Sequence, residues 1–474
     1  LLQSRHFSSA TRITMSQYFD AALIQKYSQS GPRYTSYPTA VEFHDRFTAA
    51  DYTRHLDASN ASKRDLSLYV HIPFCEHVCY YCGCNKIITH NHGQSDDYLD
   101  YLERDIVRQA AHIDKNRRVI QLHLGGGTPT FLDHTQMQRL LAMLHTHFPH
   151  FAADNEGEFS IEIDPRTVTP ADLGFLRGLG FNRVSFGVQD FDPRVQKAVN
   201  RIQSFEHVRN TIVAAREAGY HSISADLIYG LPLQTVASFR RTLEQIGELA
   251  PDRLAVFNYA HMPHIFGAQK QINAADLPDA AGKLQLLQTT IEQLTTGGYE
   301  FIGLDHFARP EDSLVRHQRE GTLYRNFQGY STFSDCDLLG FGISAISMLG
   351  SCYSQHEKAR SRYYKALDGG GIPVLRGIEL GPDDHIRQHV ITDIMCNLRL
   401  DLDAVSARWH IDAPAYFARE WQALQPLAAD GLVQLDGQRL NVLPLGRLLI
   451  RNIAMIFDAY LHKAENAKRF SKVI

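Results

Sequence analysis

The sequence predicts an α/β fold, in which a partial (β/α) barrel is followed by a smaller, mostly helical C-terminal domain. Short β-rich segments alternate with amphipathic helical segments from about Leu66 onward, which predicts successive βα units. Polar residues collect where the β-rich segments end, as they do at the mouth of a (β/α) barrel. The alternation stops after about Gly350, where the second domain is expected to begin. A doubly wound open sheet is the alternative fold for the first domain.

Seven segments have the composition of strands, and the stretches between them have helical periodicity. The strand candidates are LSLYVHIP, VIQLHLGG, EFSIEID, RVSFGVQ, SISADLIYG, RLAVFNYA and YEFIGLDHF. Examples of the helical stretches are DDYLDYLERDIVRQAAHI and FEHVRNTIVAAREAG. Strands that alternate with helices at this spacing are expected to run parallel.

The C-terminal ends of the predicted strands carry polar groups that a hydrophobic core does not need. These groups are His71, the run from Gly125 to Thr128, Glu162 and Asp164, Gln189, Asp226, Asn258 and Tyr259, and Asp305 and His306. In a (β/α) barrel such ends meet at one mouth, where active sites are built. The arrangement therefore predicts an enzyme.

Four cysteines follow the first predicted strand: Cys75, Cys79, Cys82 and Cys84, in the run CEHVCYYCGC. The first three have the spacing C-x3-C-x2-C, in which each thiolate can reach one iron of a cubane cluster and the fourth iron is left open. A zinc knuckle and a disulfide knot are the alternatives, but no second C-x2-C pair follows. We therefore predict a [4Fe–4S] cluster with an open iron.

The overall composition is that of an ordinary globular enzyme in a reducing compartment. The other three cysteines are scattered singly, which is no disulfide framework for 474 residues, so a cytoplasmic location is expected. The formal net charge of −4 gives no reason to expect nucleic acid as a partner. No apolar run approaches the roughly eighteen residues of a membrane span.

A triple glycine, Gly125 to Gly127, follows the second predicted strand and precedes Thr128. Glycines at such a place let the backbone approach a ligand and leave N–H groups available to bind it, although a tight βα turn would need them equally. The dinucleotide fingerprint G-x-G-x-x-G is not present. Together with the cysteine loop, the run predicts a seat for the amino and carboxylate groups of a cofactor amino acid.

The two ends of the chain depart from the alternating pattern. Helical segments DDHIRQHVITDIMCNLRL and APAYFAREWQALQPLAADG precede a hairpin, LVQLD and RLNVLPL joined at Asp436-Gly437, and a last helix, LGRLLIRNIAMIFDAYLHKA. This order is winged-helix-like, but the segment is not strongly basic, which favours a packing or lid domain over nucleic-acid binding. The first fourteen residues contain no acidic residue, and we interpret them as a leader or tag remnant, with a transit peptide as the alternative.

The loop C-x3-C-x2-C after the first strand and the glycine run after the second resemble those of the radical S-adenosylmethionine (SAM) enzymes. In that family the open iron binds the amino and carboxylate groups of SAM, and one electron cleaves SAM to methionine and a 5′-deoxyadenosyl radical. Further segments are similar to the oxygen-independent coproporphyrinogen III oxidase (coproporphyrinogen dehydrogenase) family, from about Tyr18 to Ile474. They are YVHIPFC, CGCNK, GPRYTSYPTA, GGGTPT, IEIDPR, FGVQDF, VNR, DLIYGLP, FNYAHMP, DHFARP, NFQGY and GRLLIRNIAMIFD.

This resemblance implies a function in haem (porphyrin) biosynthesis. Two propionate side chains of coproporphyrinogen III would be decarboxylated to vinyl groups, giving protoporphyrinogen IX. A radical-SAM barrel, a monomer and an electron donor of the flavodoxin or ferredoxin type are implied with it. We expect residues 1–14 to be the leader, 15–60 an N-terminal segment and possible substrate lid, 61–350 the catalytic barrel, and 351–474 the C-terminal domain.

The resemblance also implies the residues of the site. Cys75, Cys79 and Cys82 would ligate the cluster, and Cys84 would be an additional cysteine that does not. Tyr69, Gly126 and Glu162 match positions that hold the cluster-bound SAM, and Tyr69, Glu162 and Asp226 are the expected catalytic residues. The family binds a second SAM molecule, and the further cofactor-contacting positions are Tyr81, Gly127, Thr128, Gln189, Arg201, Asp226, Ala260 and Ile346. Tyr81 departs from the usual Phe of the family, and either aromatic residue could pack on adenine or on the cluster.

A substrate with four carboxylates needs cationic groups, for which Arg33, Arg309, Arg447 and Arg451 are candidates, each equally compatible with a structural role. If the N-terminal segment covers the mouth as a lid, Arg33 would meet a propionate while Tyr34 and Tyr37 would pack on the tetrapyrrole; a strap packed on the barrel wall is the alternative.

Three other functions stay open at this stage. A haem-binding chaperone of the same superfamily resembles the barrel but lacks CGCNK and GPRYTSYPTA. A radical-SAM modifier of RNA is disfavoured by the charge balance, and a structural iron–sulfur or zinc protein by the polar strand ends.

Overall fold

The structure, a computed structural model, describes residues 19–461, so the leader predicted at 1–14 lies outside the described residues. The described chain divides into two compact units: residues 35–388, and residues 19–34 together with 389–461. Within residues 19–461, no helix is long and apolar enough to cross a lipid bilayer.

The first unit contains most of the helices and strands. Its strands are β1 (Asp65–Ile72), β2 (Phe74–Cys75), β3 (Ile87–Ile88), β4 (Val119–Gly126), β5 (Glu158–Ile163), β6 (Arg183–Gln189), β7 (Ser222–Tyr229), β8 (Arg253–Asn258), β9 (Glu300–Gly303), β10 (His306–Ala308), β11 (Tyr324–Asn326), β12 (Gly329–Ser331), β13 (Cys336–Phe341), β14 (Ile346–Leu349), β15 (Cys352–His356) and β16 (Val374–Glu379). The remaining strands, β17 (Arg399–Asp401), β18 (Val433–Asp436) and β19 (Arg439–Val442), belong to the second unit.

The helices precede, connect and follow these strands. They are α1 (Ala21–Lys26), α2 (Ala49–Ser59), α3 (Gly93–Ala110), α4 (His134–His147), α5 (Pro170–Gly178), α6 (Pro193–Ala198), α7 (Phe205–Glu217), α8 (Val236–Leu249), α9 (Ala280–Thr296), α10 (Ser313–Glu320), α11 (Arg360–Asp368), α12 (Pro382–Thr392), α13 (Leu402–Trp409), α14 (Ala413–Tyr416), α15 (Ala418–Ala423), α16 (Gln425–Ala429), α17 (Pro444–Leu448) and α18 (Ile450–Met455).

Twelve strands form one sheet in the order β16-β15-β14-β13-β1-β4-β5-β6-β7-β8-β10-β9. The first six predicted strands are β1 and β4 to β8, and consecutive members of this set pair in parallel as expected. Because the end strands β16 and β9 are not neighbours in this order, the sheet is open. The prediction of a partial (β/α) barrel is confirmed.

The prediction for the seventh strand is wrong. YEFIGLDHF is not one parallel strand but the antiparallel hairpin β9–β10, and β10 pairs antiparallel with β8. Leu304 has a left-handed backbone with φ of 52°, so the chain reverses there. A later strand, β13, pairs in parallel with β1 and extends the sheet on its other side.

The two faces of the sheet differ in polarity, and the more polar face can carry a site. Along β5 and β6 every second side chain is buried, beginning at Phe159 and Val184. The residues between them, such as Glu162 and Ser185, are only partly buried. Because successive strand residues point to opposite faces, one face of the sheet is apolar and the other carries polar groups.

The second unit contains the predicted hairpin, β18 and β19, which turns at Gly437 with φ of 57°. Its third strand, β17, pairs with β19 and was not predicted. The predicted last helix is instead two short helices, α17 and α18, separated by Leu449 with φ of −101°. Residues 462–464 of that prediction lie outside the described residues.

The segment predicted as a possible lid contributes to both units, and its two tyrosines are buried. Tyr34 is 4% exposed and its hydroxyl donates to Asp458 at 2.8 Å, within the second unit. Tyr37 is 2% exposed and its carbonyl accepts a hydrogen bond from Tyr353, on β15 of the first unit. Both side chains therefore have structural roles, and the contact of Tyr37 favours the strap interpretation for its part of the segment.

Candidate active site

The cysteine loop leaves the sheet at the C-terminal end of β1. The short strands β2 and β3 pair in parallel, Cys75 opposite Ile88, and enclose the loop that carries Cys79, Cys82 and Cys84. None of the seven cysteines, all of which lie in the described part of the chain, is in a disulfide. The disulfide alternative therefore finds no support. Cys79, Cys82 and Cys84 lie on one loop, which begins directly after Cys75.

Cys82 has two neighbours that favour its thiolate. The Cys84 thiol and the Cys84 N–H, which lies 3.4 Å from the sulfur, both donate to it, and Lys86 adds positive charge. These groups lower the pKa of Cys82 to about 6 against the effect of burial. Cys84 is thus placed to donate hydrogen bonds to the Cys82 thiolate.

The glycine run packs directly against the start of the cysteine loop. Gly127 N–H donates to the Ile72 carbonyl and Thr128 N–H to the Phe74 carbonyl, both at 2.8 Å. A Cβ atom on Gly127 would lie 2.6 Å from the Phe74 oxygen, so only glycine fits there. The run also brings the Thr128 hydroxyl to 3.4 Å from the Cys75 sulfur.

A histidine links β1, the glycine run and the loop. His71 is 5% exposed, and burial lowers its pKa, so the ring is neutral. Its Nε2 donates to the Asn85 carbonyl at 2.9 Å, and its Nδ1 accepts from the Tyr69 hydroxyl at 3.1 Å. Gly126, with φ of 117°, lies so close that a Cβ would come within 2.7 Å of the His71 ring.

Glu162, on β5, is held by two donors. His123 on β4 donates from Nε2 at 3.1 Å, and the Gly126 N–H donates at 3.4 Å. Burial raises the pKa of Glu162, but the charge and hydrogen bond of His123 outweigh it, so the pKa lies below its usual value. A carboxylate with 45% side-chain exposure beside the glycine run can accept hydrogen bonds from a bound ammonium group.

The pKa of Asp226, on β7, is shifted in the opposite direction from that of Glu162. Burial and the negative charge of Glu162 raise its pKa to about 7, although the Ser185 hydroxyl donates to it at 3.1 Å. The two carboxyl groups therefore differ in charge near neutral pH: Glu162 is ionised while Asp226 is partly protonated.

We expect Asp226→Asn to stabilise the protein at alkaline pH relative to acidic pH. The folded-state pKa of Asp226 is raised, so its contribution to stability is fully present only below its unfolded pKa and is lost as the pH rises through about 7. The melting temperature of Asp226→Asn minus that of the unsubstituted protein should therefore increase from pH 5 to pH 8. In Glu162→Gln the rise attributable to Asp226 should move to lower pH. A difference independent of pH would contradict the raised pKa.

Arg201 forms an ion pair with Asp164, which was not predicted from the sequence. It is 6% exposed, and it donates to Asp164 at 2.9 Å, to the Gly187 carbonyl at 2.5 Å and to the Cys79 sulfur at 3.5 Å. Gln189, at the end of β6, has a left-handed backbone with φ of 69° beside an irregularity in the β6–β7 register. Gln189 lies at the C-terminal end of its strand as predicted, and Arg201, from the segment after α6, contacts groups at that same edge.

The other predicted cofactor positions lie around this edge. Tyr81 packs against a buried apolar cluster that includes Val195 and Tyr259. Its carbonyl and that of Ala260 accept hydrogen bonds from Gln269, at 3.0 and 3.2 Å. Ile346 begins β14, and its carbonyl would lie 2.7 Å from a Cβ on Gly340 of β13.

Two functional candidates, His123 and Arg166, were not predicted, and Asp164 was predicted at the mouth but without a role in the site. Arg166 donates to Asp164 at 2.6 Å and to the Cys79 sulfur at 3.8 Å. The sequence signal for His123 is its place three residues before the end of the polar-faced β4. For Arg166 it is the D-P-R turn, in which Asp164 accepts from the N–H two residues on.

The residues present fit an iron–sulfur cluster and SAM. The three thiols of the C-x3-C-x2-C loop have N–H or hydroxyl groups beside them, which is the environment that thiolate ligands need. Two polar atoms, Arg201 Nε and Asn258 Oδ1, are buried without a hydrogen-bond partner among residues 19–461 and could bind a polar ligand. In that same range no three His, Cys, Asp or Glu side chains are arranged around a single metal ion.

Comparisons with known proteins agree with this geometry. The Radical SAM superfamily model matches residues 69–246, and the HemN C-terminal domain model matches residues 380–449. The oxygen-independent coproporphyrinogen III oxidase of Salmonella typhimurium is 52% identical over 96% of this chain and 98% of its own length. That of Pseudomonas aeruginosa is 50% identical over 96% and 99%.

A solved structure agrees with the sequence comparisons. Coproporphyrinogen III oxidase (HemN) from Escherichia coli, described as a radical SAM enzyme, superimposes with a TM-score of 0.88 at 49% identity. The match covers 94% of this chain and all of that one. The chain therefore belongs to the oxygen-independent coproporphyrinogen III oxidase family of radical SAM enzymes.

Proposed function

We propose that this enzyme carries out the oxygen-independent oxidative decarboxylation of coproporphyrinogen III to protoporphyrinogen IX in haem biosynthesis. Two propionate side chains become vinyl groups. Each propionate loses one hydrogen atom from its β-carbon to the 5′-deoxyadenosyl radical, one carbon dioxide molecule, and one electron to a one-electron acceptor that is not part of this chain. The observation that carries the proposal is the convergence of the cysteine loop, the glycine run and Glu162 at one edge of the sheet.

Cys75, Cys79 and Cys82 would hold a [4Fe–4S] cluster, with Cys84 supporting Cys82 through hydrogen bonds. When bound and reduced, the cluster supplies the electron that cleaves SAM to methionine and a 5′-deoxyadenosyl radical, which abstracts the hydrogen atom. The chain's own task is placement, because a radical reaction needs the β-carbon held close to the radical and away from water.

The glycine run and Glu162 would bind the amino acid end of SAM. The backbone at Gly126 and Gly127 approaches closely because a Cβ is absent, and the ionised Glu162 accepts from an ammonium group. Tyr69 and Asp226 complete the proposed catalytic set on the same face of the sheet. Tyr69 already donates to His71, so its oxygen remains available as an acceptor.

A second SAM molecule is proposed to use further residues of the same edge. The further cofactor positions, which the two SAM molecules would divide or share between them, are Tyr81, Gly127, Thr128, Gln189, Arg201, Asp226, Ala260 and Ile346. The unpartnered Arg201 Nε supports a carboxylate or another acceptor near this residue. Two propionates per substrate give a chemical reason for two SAM molecules, since each hydrogen abstraction consumes one.

Two of the four candidate substrate-binding arginines, Arg309 and Arg451, are held by other groups of the protein. Arg309 donates to the Gly297 carbonyl and lies 4.1 Å from the ring centre of Tyr299, and Arg451 is 4% exposed and bound to the carbonyls of Gly31 and Pro32. Those contacts support structural roles for both. We propose Arg33, which is exposed, and Arg447 as partners of propionates on the basis of the sequence resemblance.

An electron donor of the flavodoxin or ferredoxin type is proposed to reduce the cluster, and the enzyme is proposed to act as a monomer in the cytoplasm. Cys75 lines a cavity of about 740 Å³ together with Arg166, which gives a reductant access to the loop. The absence of disulfides among the seven cysteines is compatible with a reducing compartment.

The proposal is tested by an anaerobic assay of the reconstituted protein with coproporphyrinogen III, SAM and a chemical reductant. We expect protoporphyrinogen IX together with two 5′-deoxyadenosine molecules per product molecule. Binding of haem without turnover would instead favour a chaperone. SAM cleavage without any change in the porphyrinogen would indicate that the enzyme acts on a different substrate.

Glu162→Gln and Asp226→Ala are expected to keep the cluster but bind SAM at least about tenfold more weakly, since each removes a charged or polar partner worth about 1.5–3 kcal/mol. The iron content and visible spectrum report the cluster, and equilibrium dialysis reports SAM. Glu156→Gln is the matched control, because Glu156 is exposed and pairs with Arg118 before the start of β5. Unchanged SAM binding in both site variants would make the carboxyl groups structural.

A further inference from the structure

The Cys79 sulfur has a different environment from the other two proposed ligand thiols. Cys79 is 8% exposed, and two guanidinium groups donate to its sulfur: Arg201 at 3.5 Å and Arg166 at 3.8 Å. The Cys75 sulfur lies beside the neutral hydroxyl of Thr128, and the Cys82 sulfur beside the N–H and thiol of Cys84 and the ammonium group of Lys86. Among residues 19–461, Cys79 is therefore the loop cysteine to which guanidinium groups donate.

One carboxylate holds both arginines in place. Asp164 accepts from Arg166 Nη2 at 2.6 Å and Nε at 3.0 Å, and from Arg201 at 2.9 Å. Burial raises the pKa of Asp164, but the two arginines outweigh it and lower the pKa, so the carboxylate is ionised. Two guanidinium groups and one carboxylate leave a net charge of +1 next to the sulfur.

The two arginines differ in what else they can do. Arg201 belongs to the proposed cofactor positions, and its Nε has no hydrogen-bond partner within residues 19–461. Arg166 is not among them; it comes from the turn after β5, its side chain is 21% exposed, and its side-chain hydrogen bonds go to Asp164 and Cys79. A charge-bearing side chain fixed by a neighbouring carboxylate and aimed at a ligand sulfur is the arrangement by which proteins tune metal centres.

We propose that Arg166 is a positioning residue that raises the reduction potential of the iron–sulfur cluster through its contact with the Cys79 sulfur. The inference rests on the proposed cluster. One-electron reduction adds a negative charge to the cluster and its thiolates, so a nearby positive charge and an N–H donor to sulfur favour the reduced state. Arg166 thereby makes the cluster easier to reduce by a protein or chemical donor.

The test is an anaerobic redox titration of the reconstituted protein without SAM or substrate, followed by electron paramagnetic resonance. Arg166→Gln removes the charge, and Arg166→Lys keeps it. In the Gln variant we expect the ratio of reduced to oxidised cluster at a fixed poise to fall about tenfold, which is about 59 mV for a one-electron couple. The Lys variant should recover most of that loss.

Arg177→Gln is the matched control. Arg177 is 22% exposed and pairs with Asp154, ahead of β5 in the chain, as Arg166 pairs with Asp164 after it. The cluster in the Arg177→Gln variant should have the same reduction potential as in the unsubstituted protein. Arg166→Met, which keeps the aliphatic stem, replaces the Gln variant if that variant does not fold.

An unchanged potential in a fully loaded Arg166→Gln protein would overturn the inference. So would an equal shift in the Gln and Lys variants, because charge would then not be the cause, or a folded variant that assembles no cluster, because Arg166 would then serve assembly. A cluster missing from the unsubstituted protein would contradict the proposed function instead.

Discussion

Replacing Cys75, Cys79 or Cys82 by Ser, one at a time, is expected to abolish the [4Fe–4S] cluster. Each thiolate would hold one iron, and a serine hydroxyl is a poor substitute because the thiolate, not a neutral group, is the ligand. Iron content and the visible absorption of protein reconstituted under strictly anaerobic conditions measure the result. SAM cleavage should disappear with the cluster in all three variants.

Cys84→Ser is the internal control for this experiment, since it lies on the same loop and is exposed. A serine keeps the backbone N–H that lies 3.4 Å from the Cys82 sulfur and offers a hydroxyl in place of the donating thiol. The cluster should therefore assemble in this variant. A cluster lost in Cys84→Ser but kept in Cys82→Ser would reverse the assignment of the two residues.

The parts of the fold that depend on local pattern were predictable. The predicted bounds of β4 and β6 match the structure to the residue. In those segments strand propensity, alternation of apolar residues and flanking turns all agree. The cysteine loop and the glycine run were predictable because their spacing directly reflects a chemical requirement. Their hydrogen bonds through Ile72 and Phe74 follow from adjacent parallel strands.

Features that depend on distant parts of the chain were not predictable. β13 pairs with β1 from 271 positions further along, at Asp65 opposite Cys336, and no local signal specifies that partner. The β9–β10 reversal depends on a left-handed backbone at Leu304. Leucine rarely adopts this conformation, so its presence in the sequence does not predict a turn.

The side-chain network of the site was partly predictable. The strand ends gave Glu162, Asp164 and Asp226 as polar residues at one edge, but the sequence could not say that Asp164 would be shared by two arginines. Nor could it show that Glu162 would be ionised while the pKa of Asp226 is raised to about 7. Those states depend on burial and on distances between strands, which a sequence does not contain.

Gly127→Ala is expected to damage both cluster retention and SAM binding, although the added group is one methyl. Its Cβ would lie 2.6 Å from the Phe74 carbonyl oxygen and 2.7 Å from the Pro73 carbonyl carbon. Both are backbone atoms and cannot rotate away as a side chain could. The start of the cysteine loop would have to move, and the hydrogen bond from Gly127 N–H to Ile72 would be strained or lost. Overpacking of this kind costs about 1–3 kcal/mol.

Gly174→Ala in α5 is the matched control, because nothing lies within 4 Å of the Cβ it would add. Within a helix that change should stabilise the protein by about 0.5–1 kcal/mol. We therefore expect melting temperatures to change in opposite directions in the two variants, and SAM affinity to fall at least about tenfold in Gly127→Ala alone. A Gly127→Ala protein with full iron content and undiminished SAM cleavage would show that the loop can shift without loss. The glycine run would then be a tight turn and no part of the cofactor seat.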